Sequence, residues 1–390
     1  MSNTFHRDRL TWLAYLLLAF YGYFLNILGP ITPFLKSEFQ LSYTVSSLHF
    51  TAFAVGILAV GLGGHFVIQR IGRWRSLWLG AIGMSLGALL LLAGRTPIVT
   101  VAGTFLMGLV GSLILVIVPA SLSEQHGDLR TVALSEANVI ASFVSAAAPL
   151  LVGLFARFTG GWRLALGTAA FTPVLLYILF GKASSPTDAI DQQRQMSSRQ
   201  PLPIIYWIYW LAIVLAVSVE FCMIFWSADY LENILELQKA SAAQAVSLFL
   251  GGMIFGRLVG SRLVQHFSTT RVVNLSILLA GIGFLLFWKA GSAFLGLCGL
   301  FLTGLGVASL YPLILSLAIG VARGNTVEAS ARATLASGTA ILALPLVLGW
   351  LADAIGIAAA YAMVLILLFG VFLIIQLAGK DEASYALRIF

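Results

Sequence analysis

Charged residues are scarce in this chain. Asp, Glu, Lys and Arg make up only 9% of its 390 residues, whereas 60% are hydrophobic. Soluble proteins carry about 25% charged residues. The mean hydropathy of +0.98 leaves too little polar surface to cover a water-soluble globule of this size. The composition therefore excludes a soluble protein and predicts an all-α polytopic membrane protein, with the lipid bilayer as its main solvent.

Motifs for disulfides, metals and nucleotides are also missing. The two cysteines, Cys222 and Cys298, lie inside apolar runs, and neither CxxC nor Cys/His metal spacing occurs. The chain has no GxxxxGK(S/T) loop for a nucleotide. The five histidines are scattered rather than clustered with acids, as a membrane enzyme would require. We therefore expect no enzymatic activity, no metal and no cofactor.

Basic residues outnumber acidic ones and give a net charge of +7. They lie mainly in short loops between apolar runs. No basic face is interleaved with aromatic side chains that could stack on bases, so we expect no binding to nucleic acid. The Lys and Arg residues concentrate in the loops on the side of the chain termini. By the positive-inside rule, this predicts both termini in the cytoplasm, at a bacterial-type inner membrane.

Apolar runs of about 20 residues, the length that crosses a bilayer, recur along the chain. The first reaches from Leu10 to about Ile31, which is too long for the apolar core of a signal peptide. We therefore expect it to be a retained membrane helix. The twelve predicted spans cover roughly 10–33, 43–67, 76–94, 97–119, 132–155 and 162–180, and then 204–230, 241–264, 272–290, 293–318, 331–353 and 357–378.

Two halves of the chain repeat at a constant offset of 196 residues, so that GTFLMGL (103–109) matches GLFLTGL (299–305). A polar segment rich in Ser and Gln, 181–203, separates the halves. We predict two pseudo-symmetric six-helix bundles, 1–180 and 204–390, joined by a cytoplasmic linker. Repeats of the same orientation are typical of transporters that hold the substrate between them.

The loop GGHFVIQRIGRWRSL (63–77) and the stretch GGWRLALG (160–167) resemble the signature loop and the start of the sixth helix of the major facilitator superfamily. The resemblance extends over nearly the whole chain. It implies alternating access, in which two six-helix bundles rock about a central site. It also implies gating roles for Gln69, Arg70 and Arg73. Because Gln69 stands where the family usually has an Asp that helps latch the inner ends of the halves, a weaker, neutral latch is implied.

Glu220 is the only residue charged at neutral pH between Arg199 and Asp229. It lies about 15 residues into the seventh predicted span, roughly 20 Å from the cytoplasmic end. A carboxylate at such a depth costs on the order of 3 kcal/mol. We expect it to couple proton movement to solute movement or to bind the substrate. The alternative is a protonated Glu220 that makes one interhelical hydrogen bond.

Polar and aromatic side chains on the predicted cavity helices are candidates for substrate binding. Any one of them could instead serve packing or anchor its helix at the membrane interface. Arg257 could pair with a substrate anion, or it could extend to the cytoplasmic interface. The predicted substrate-binding residues are Tyr21, Tyr23, Asn26, Trp226, Arg257 and Tyr311.

Two further gating sites are predicted near the ends of the spans. Glu136, on the fifth span, could pair with Arg257 or Arg262 to form an inner gate. His49 lies near the outer end of the second span. It is either an interfacial residue, or it serves as an outer gate or as a pH sensor.

The function that these features predict is secondary active transport of a small organic solute by alternating access, coupled to protons through Glu220. A multidrug or organic-cation exporter and an organic-anion carrier that uses Arg257 remain as alternatives. The family's drug/proton antiporters carry an Arg where this chain has Thr104, which weakens the exporter alternative. Both symport and antiport stay open. We expect the protein to act as a monomer, with protons and a small-molecule substrate as its partners.

Overall fold

The structure, a computed structural model, describes residues 5–181, 202–322 and 326–386. In these ranges the regular elements are all helices, which confirms the predicted class. The predicted linker, 181–203, falls almost entirely outside the described residues. The N-terminal half contains α1 (Arg9–Phe39), α2 (Tyr43–Ile71), α3 (Arg73–Ala93), α4 (Pro97–Gly111), α5 (Leu113–His126), α6 (Arg130–Phe155), α7 (Arg163–Ala170) and α8 (Thr172–Phe180). The C-terminal half contains α9 (Ile204–Asn233), α10 (Lys239–Leu263), α11 (Thr269–Trp288), α12 (Ala293–Val307), α13 (Leu310–Gly320), α14 (Thr326–Ile355), α15 (Ile357–Ala360) and α16 (Met363–Ala386).

Eleven segments of the described chain are long and apolar enough to cross a membrane. One of them, Pro97–Phe155, has 59 residues. A single helix of that length would extend about 90 Å, three times the ~30 Å apolar core of a bilayer. A short 3-10 turn, Gly127–Leu129, divides it, and Gly127 adopts a positive φ of 50° there. The described residues therefore provide twelve segments of a length that crosses a membrane, as the sequence predicts.

The sequence repeat reappears in the helices. The fourth crossing of each half is broken into two helices, at Ser112 and at Ala308, which are 196 residues apart. The same offset separates the starts of α2, α3 and α4, at Tyr43, Arg73 and Pro97, from those of α10, α11 and α12, at Lys239, Thr269 and Ala293. The two halves are thus pseudo-symmetric down to the positions where helices begin and break.

Glycines bring α2 against α4 and α10 against α12. A Cβ on Gly108 would lie 2.1 Å from the carbonyl oxygen of Phe53, and one on Gly304 would lie 2.1 Å from that of Phe249. These two contacts are equivalent in the repeat. Because lipid is as apolar as the helix surfaces, helices in a membrane associate mainly through such close backbone packing rather than through the hydrophobic effect.

The helix ends define two faces of the bundle. The face where α1 begins also holds the end of α2 and the start of α9. We call it the basic face, because exposed arginines such as Arg70 and Arg262 lie there. The opposite face, called the far face, holds the end of α1 and the end of α9, where Lys36 contacts Asp229.

Gly251 and Gly252 provide a test of the close packing. A Cβ on Gly252 would lie 2.3 Å from the carbonyl oxygen of Phe301, whereas one on Gly251 would meet no atom within 4 Å. We expect Gly252→Ala to lower the melting temperature, because α10 must move away from α12. Gly251→Ala should leave it unchanged or raise it, because alanine favours a helix by about 1 kcal/mol over glycine. Thermal unfolding in detergent measures both effects. Equal effects of the two substitutions would contradict the packing.

Candidate functional site

A polar cavity of about 110 Å³ lies between the two halves. Helices α1 and α6 of the N-terminal half and α9 and α10 of the C-terminal half form its wall. It is lined by Asn26, Asn138, Ala141, Ser142, Ser145, Glu220, Leu250, Met253, Ile254 and Arg257. Carboxyl, guanidinium, amide and hydroxyl groups therefore converge between the repeats, where transporters of this symmetry hold their substrates.

Glu220 lies in the middle of α9 and borders this cavity. Its side chain keeps part of its surface exposed, and the cavity accounts for that exposure. Within the described residues it makes no hydrogen bond and no ion pair. The single interhelical hydrogen bond expected of a purely structural Glu220 is thus not seen in that part of the chain.

Arg257 brings a positive charge to the same cavity. Its charge acts on Glu220, although the two side chains do not form an ion pair. The Nη1 of Arg257 donates a hydrogen bond of 3.1 Å to the Oγ of Ser142. Because Ser142 belongs to α6 and Arg257 to α10, this bond joins the halves beside the cavity. Of the two positions predicted for Arg257, the geometry favours the cavity.

The polar face of α6 forms the opposite wall. Asn138, Ala141, Ser142 and Ser145 follow the helical spacing that places residues on one face. Asn138 donates to the carbonyl of Leu134, and Ser142 donates to the carbonyl of Asn138. Sequence reasoning missed these residues. The signal that could have found them is the recurrence of small polar side chains along one face of an otherwise apolar helix.

Three of the predicted binding residues, Tyr21, Tyr23 and Trp226, do not line this cavity. The hydroxyl of Tyr21 contacts Ser112 Oγ at 3.4 Å, and that of Tyr23 donates to the carbonyl of Ala165 at 2.9 Å. Both partners lie in the N-terminal half, away from the cavity lining. The Nε1 of Trp226 donates to the carbonyl of Pro345 at 3.1 Å, and its ring is fully buried near the far face. These polar groups have partners in the packed protein, and a role in binding the solute remains a prediction for them.

Two other predicted binding residues do lie at or near the cavity. Asn26 is part of its lining, and its Nδ2 donates to the carbonyl of Gly22 one turn earlier in α1. Tyr311 hydrogen-bonds the side chain of Ser337 and is close enough for the charge of Glu220 to act on it. Asn26 and Tyr311 are therefore the members of the predicted set that stay near Glu220, together with Arg257.

An ion pair closes the far face across the two halves. The Nζ of Lys36, on α1, lies 3.0 Å from Oδ1 of Asp229, on α9. The Asp229 side chain is only 1% exposed. The ammonium group of Lys36 also lies 3.3 Å from the ring centroid of Tyr43, and Tyr43 hydrogen-bonds Asp229. The ion pair, the contact of the ammonium group with the Tyr43 ring and the hydrogen bond from Tyr43 to Asp229 thus hold α1, α2 and α9 together.

Apolar contacts and a helix cap continue this closure towards α14. Phe50 and Phe225 stack with ring centroids 4.0 Å apart. Both carboxylate oxygens of Asp353, at the end of α14, accept backbone hydrogen bonds of 2.8 Å from Tyr43 and Thr44, at the start of α2. The halves are therefore packed together on the far side of the cavity.

Residues 14–322 match the family model of the Major Facilitator Superfamily. The chain belongs to the major facilitator superfamily. It is a multi-pass membrane transporter and not an enzyme. A glucose/galactose transporter of Brucella abortus biovar 1 (strain 9-941) is 25% identical over 374 residues, which cover 90% of this chain and 89% of that protein.

Two further sugar transporters match over shorter regions. The glucose transporter GlcP of Staphylococcus epidermidis (strain ATCC 12228 / FDA PCI 1200) is 26% identical over 188 residues, or 48% of this chain and 42% of that protein. The galactose-proton symporter of Escherichia coli (strain K12) is 31% identical over 164 residues, or 40% of this chain and 34% of that protein. The matched region spans less than half the length of either relative.

Solved transporters share the fold. A bacterial homolog of the human lysosomal transporter Spinster, in an inward-facing and occupied conformation, aligns with a TM-score of 0.81 and 13% identity, over 97% of this chain and 98% of that one. The superfamily transporter FucP, in the outward conformation, aligns with a TM-score of 0.58 and 19% identity, over 94% of this chain and 98% of that one. At these identities the likeness establishes the fold alone.

The superfamily loop between α2 and α3 is placed at the basic face. Gln69 and Arg70 are exposed there, and Arg262 is exposed at the corresponding loop of the C-terminal half. Arg73 is buried, and its Nη2 donates to Glu124 at 2.7 Å, within the N-terminal half. None of these contacts joins the halves, so the gating roles implied for Gln69, Arg70 and Arg73 remain predictions.

In this conformation Glu136 pairs with Arg7 rather than with the predicted Arg257 or Arg262. Arg7 donates to both of its carboxylate oxygens, at 2.5 and 2.7 Å, and the hydroxyl of Tyr15 donates to one of them at 3.2 Å. The hydrogen-bond and ion-pair partners of Glu136 therefore lie within the N-terminal half, and neither Arg257 nor Arg262 forms an ion pair with it.

His49 is also satisfied within the N-terminal half. Its ring nitrogens lie 3.0 Å from the carbonyl of Ser46 and 2.9 Å from Oγ1 of Thr100. The side chain is buried between α2 and α4, and its role at the outer end of the bundle remains a prediction.

The Lys36–Asp229 pair should contribute measurably to stability. We expect Lys36→Met to destabilise the protein by about 2–4 kcal/mol, because removing one partner leaves the buried Asp229 charge unpaired. The exposed pair Arg163–Glu38, whose side chains are 25% and 31% exposed, is the control. Breaking it should cost less than about 1 kcal/mol. Double-mutant cycles on thermal unfolding measure both couplings, and equal coupling in the two pairs would contradict a buried latch at the far face.

Proposed function

We propose that the protein carries a small polar solute in symport with protons, and that Glu220 is the group that binds and releases the proton. The observation that carries this proposal is the position of Glu220. It borders the cavity between the two halves, and in the described residues it has no hydrogen bond and no ion pair. A carboxyl group in such a place is costly unless it takes a proton, a partner or water.

The arrangement of contacts supports alternating access about this cavity. At the far face the halves are joined by Lys36 and Asp229, whereas at the basic face Glu136 and Glu124 pair within one half. Arginine-rich loops are typical of the cytoplasmic side. We therefore assign the basic face to the cytoplasm, and the described conformation to one that is closed towards the outside.

Proton coupling follows from how Glu220 would be exposed in the two states. When the far face opens, the carboxyl group meets the outer solution and takes up a proton, which removes its charge from the membrane interior. After closure, the cavity reaches the cytoplasmic side, and Glu220 can lose the proton there with Arg257 as its nearby counter-charge. The solute moves with the same conformational change, so an inward proton gradient drives its accumulation.

The solute class is proposed to be a neutral, polyhydroxylated molecule of sugar size. Amide and hydroxyl groups of Asn26, Asn138, Ser142 and Ser145 line the cavity and can both donate and accept hydrogen bonds. Relatives whose names include glucose and galactose support this class. The lining residues are polar or aliphatic rather than aromatic, which argues against a lipophilic cation.

A second candidate is an organic anion, because the guanidinium of Arg257 lines the cavity. Its hydrogen bond to Ser142 leaves further donors for a carboxylate. Arg257→Gln separates the two candidates. It should abolish transport of an anion, whereas downhill exchange of a neutral sugar should persist.

The deciding experiment is flux in proteoliposomes with a panel of sugars, organic acids and dye-like cations. We expect a pH gradient to drive accumulation of one class in the parent. Glu220→Gln should abolish that accumulation and leave downhill exchange intact, because the amide keeps the size of the side chain but cannot carry the proton.

Glu236→Gln is the matched control, since Glu236 is an exposed residue between α9 and α10. It should behave like the parent. Gradient-driven accumulation that survives in Glu220→Gln would contradict the coupling role, and a parent that moves no member of the panel would contradict the proposed solute classes.

A further inference from the structure

Acidic residues are missing from one long stretch in each half. No Asp or Glu occurs between Glu38 and Glu124, or between Glu236 and Glu328. Both stretches nevertheless contain several arginines around the connection between two membrane helices. Arg75 and Arg271 occupy equivalent positions of the repeat, as do Gln69 and Gln265. The arginines of these connections therefore have no acidic neighbour along the chain.

Among the described residues, only one of these arginines has an acidic partner from elsewhere in the chain. Arg73 is buried and pairs with Glu124. The other arginines at the two connections are exposed, and within the described chain they take part in no ion pair or hydrogen bond. They are Arg70 and Arg75 at the α2–α3 connection, and Arg262 and Arg271 at the α10–α11 connection.

Large apolar side chains are exposed beside these charges. Phe66, one turn before Arg70, is 66% exposed, and Phe267, between the two arginines of the second connection, is 51% exposed. Aromatic rings next to arginines at the ends of membrane helices are typical of the interface, where phospholipid headgroups lie. The planar guanidinium group binds phosphate oxygens in pairs, which makes arginine well suited to phosphate.

We propose that the α2–α3 and α10–α11 connections form two headgroup surfaces that bind the phosphate groups of anionic phospholipids. Each surface consists of two unpaired arginines and one exposed phenylalanine: Arg70, Arg75 and Phe66 in the first, and Arg262, Arg271 and Phe267 in the second. Charge complementarity favours this partner, because neither connection has an Asp or Glu of its own, and the Glu124 carboxylate beside the first is neutralised by the buried Arg73. One surface belongs to each half, so anionic lipid anchors both halves at the same leaflet.

Lipid binding can be measured without any transport. The parent is purified, reconstituted in vesicles of phosphatidylcholine with a minor share of phosphatidylglycerol, and probed with spin-labelled lipid of each type. We expect the protein to prefer the anionic lipid. The preference should fall by about tenfold when Arg70, Arg75, Arg262 and Arg271 are all replaced by Gln, because four attractive charges are lost.

The matched control replaces Arg95 and Arg157 by Gln, since both are exposed arginines at the far face. It should keep the preference of the parent. Equal affinity of the parent for both lipids, or an unchanged preference in the fourfold variant, would overturn the proposal. Displacement of the labelled lipid by millimolar inorganic phosphate would do the same, because it would assign the surfaces to free anions.

Discussion

The centre of this transporter is arranged around one carboxyl group in the middle of the membrane. No side chain in the described protein forms an ion pair with it. At that depth the charge costs about 3 kcal/mol, yet Glu220 borders a cavity rather than a partner. The helices around Glu220 make its surroundings polar, with small polar side chains on α1 and α6 and with the guanidinium group of Arg257. Elsewhere in the bundle, glycine contacts that demand no polar groups pack α2 against α4 and α10 against α12.

Charges are paired differently at the two faces, and this difference bears on how the halves can move. At the far face the pair Lys36–Asp229 crosses between the halves, with Asp229 almost completely buried. At the basic face Arg7–Glu136 and Arg73–Glu124 stay within one half. Opening the far side must therefore break a desolvated ion pair, whereas rocking the halves apart at the basic face leaves these two pairs intact.

Segment length and sequence repetition were enough to predict the helices and their arrangement in two halves. They could not predict which side chains face the cavity, because that depends on how each helix is rotated about its axis. Apolar runs and the repeat offset predicted the twelve crossings, and a lone charge in an apolar run drew attention to Glu220, which borders the cavity. Which way a helix faces is set by packing, so Tyr23 and Trp226 could not be separated from cavity residues before their carbonyl partners were known. Ser142 is unremarkable in sequence, because serine is common in membrane helices.

The most direct test of the central claim is the proton exchanged when solute binds to the purified protein. A pH-sensitive dye in weakly buffered detergent solution reports it as transported solute is added. Because binding at the cavity changes the surroundings of Glu220, we expect a proton signal in the parent, saturating with solute, and none in Glu220→Gln. Solute binding without any proton signal in the parent, or the same signal in the variant, would contradict Glu220 as the coupling group.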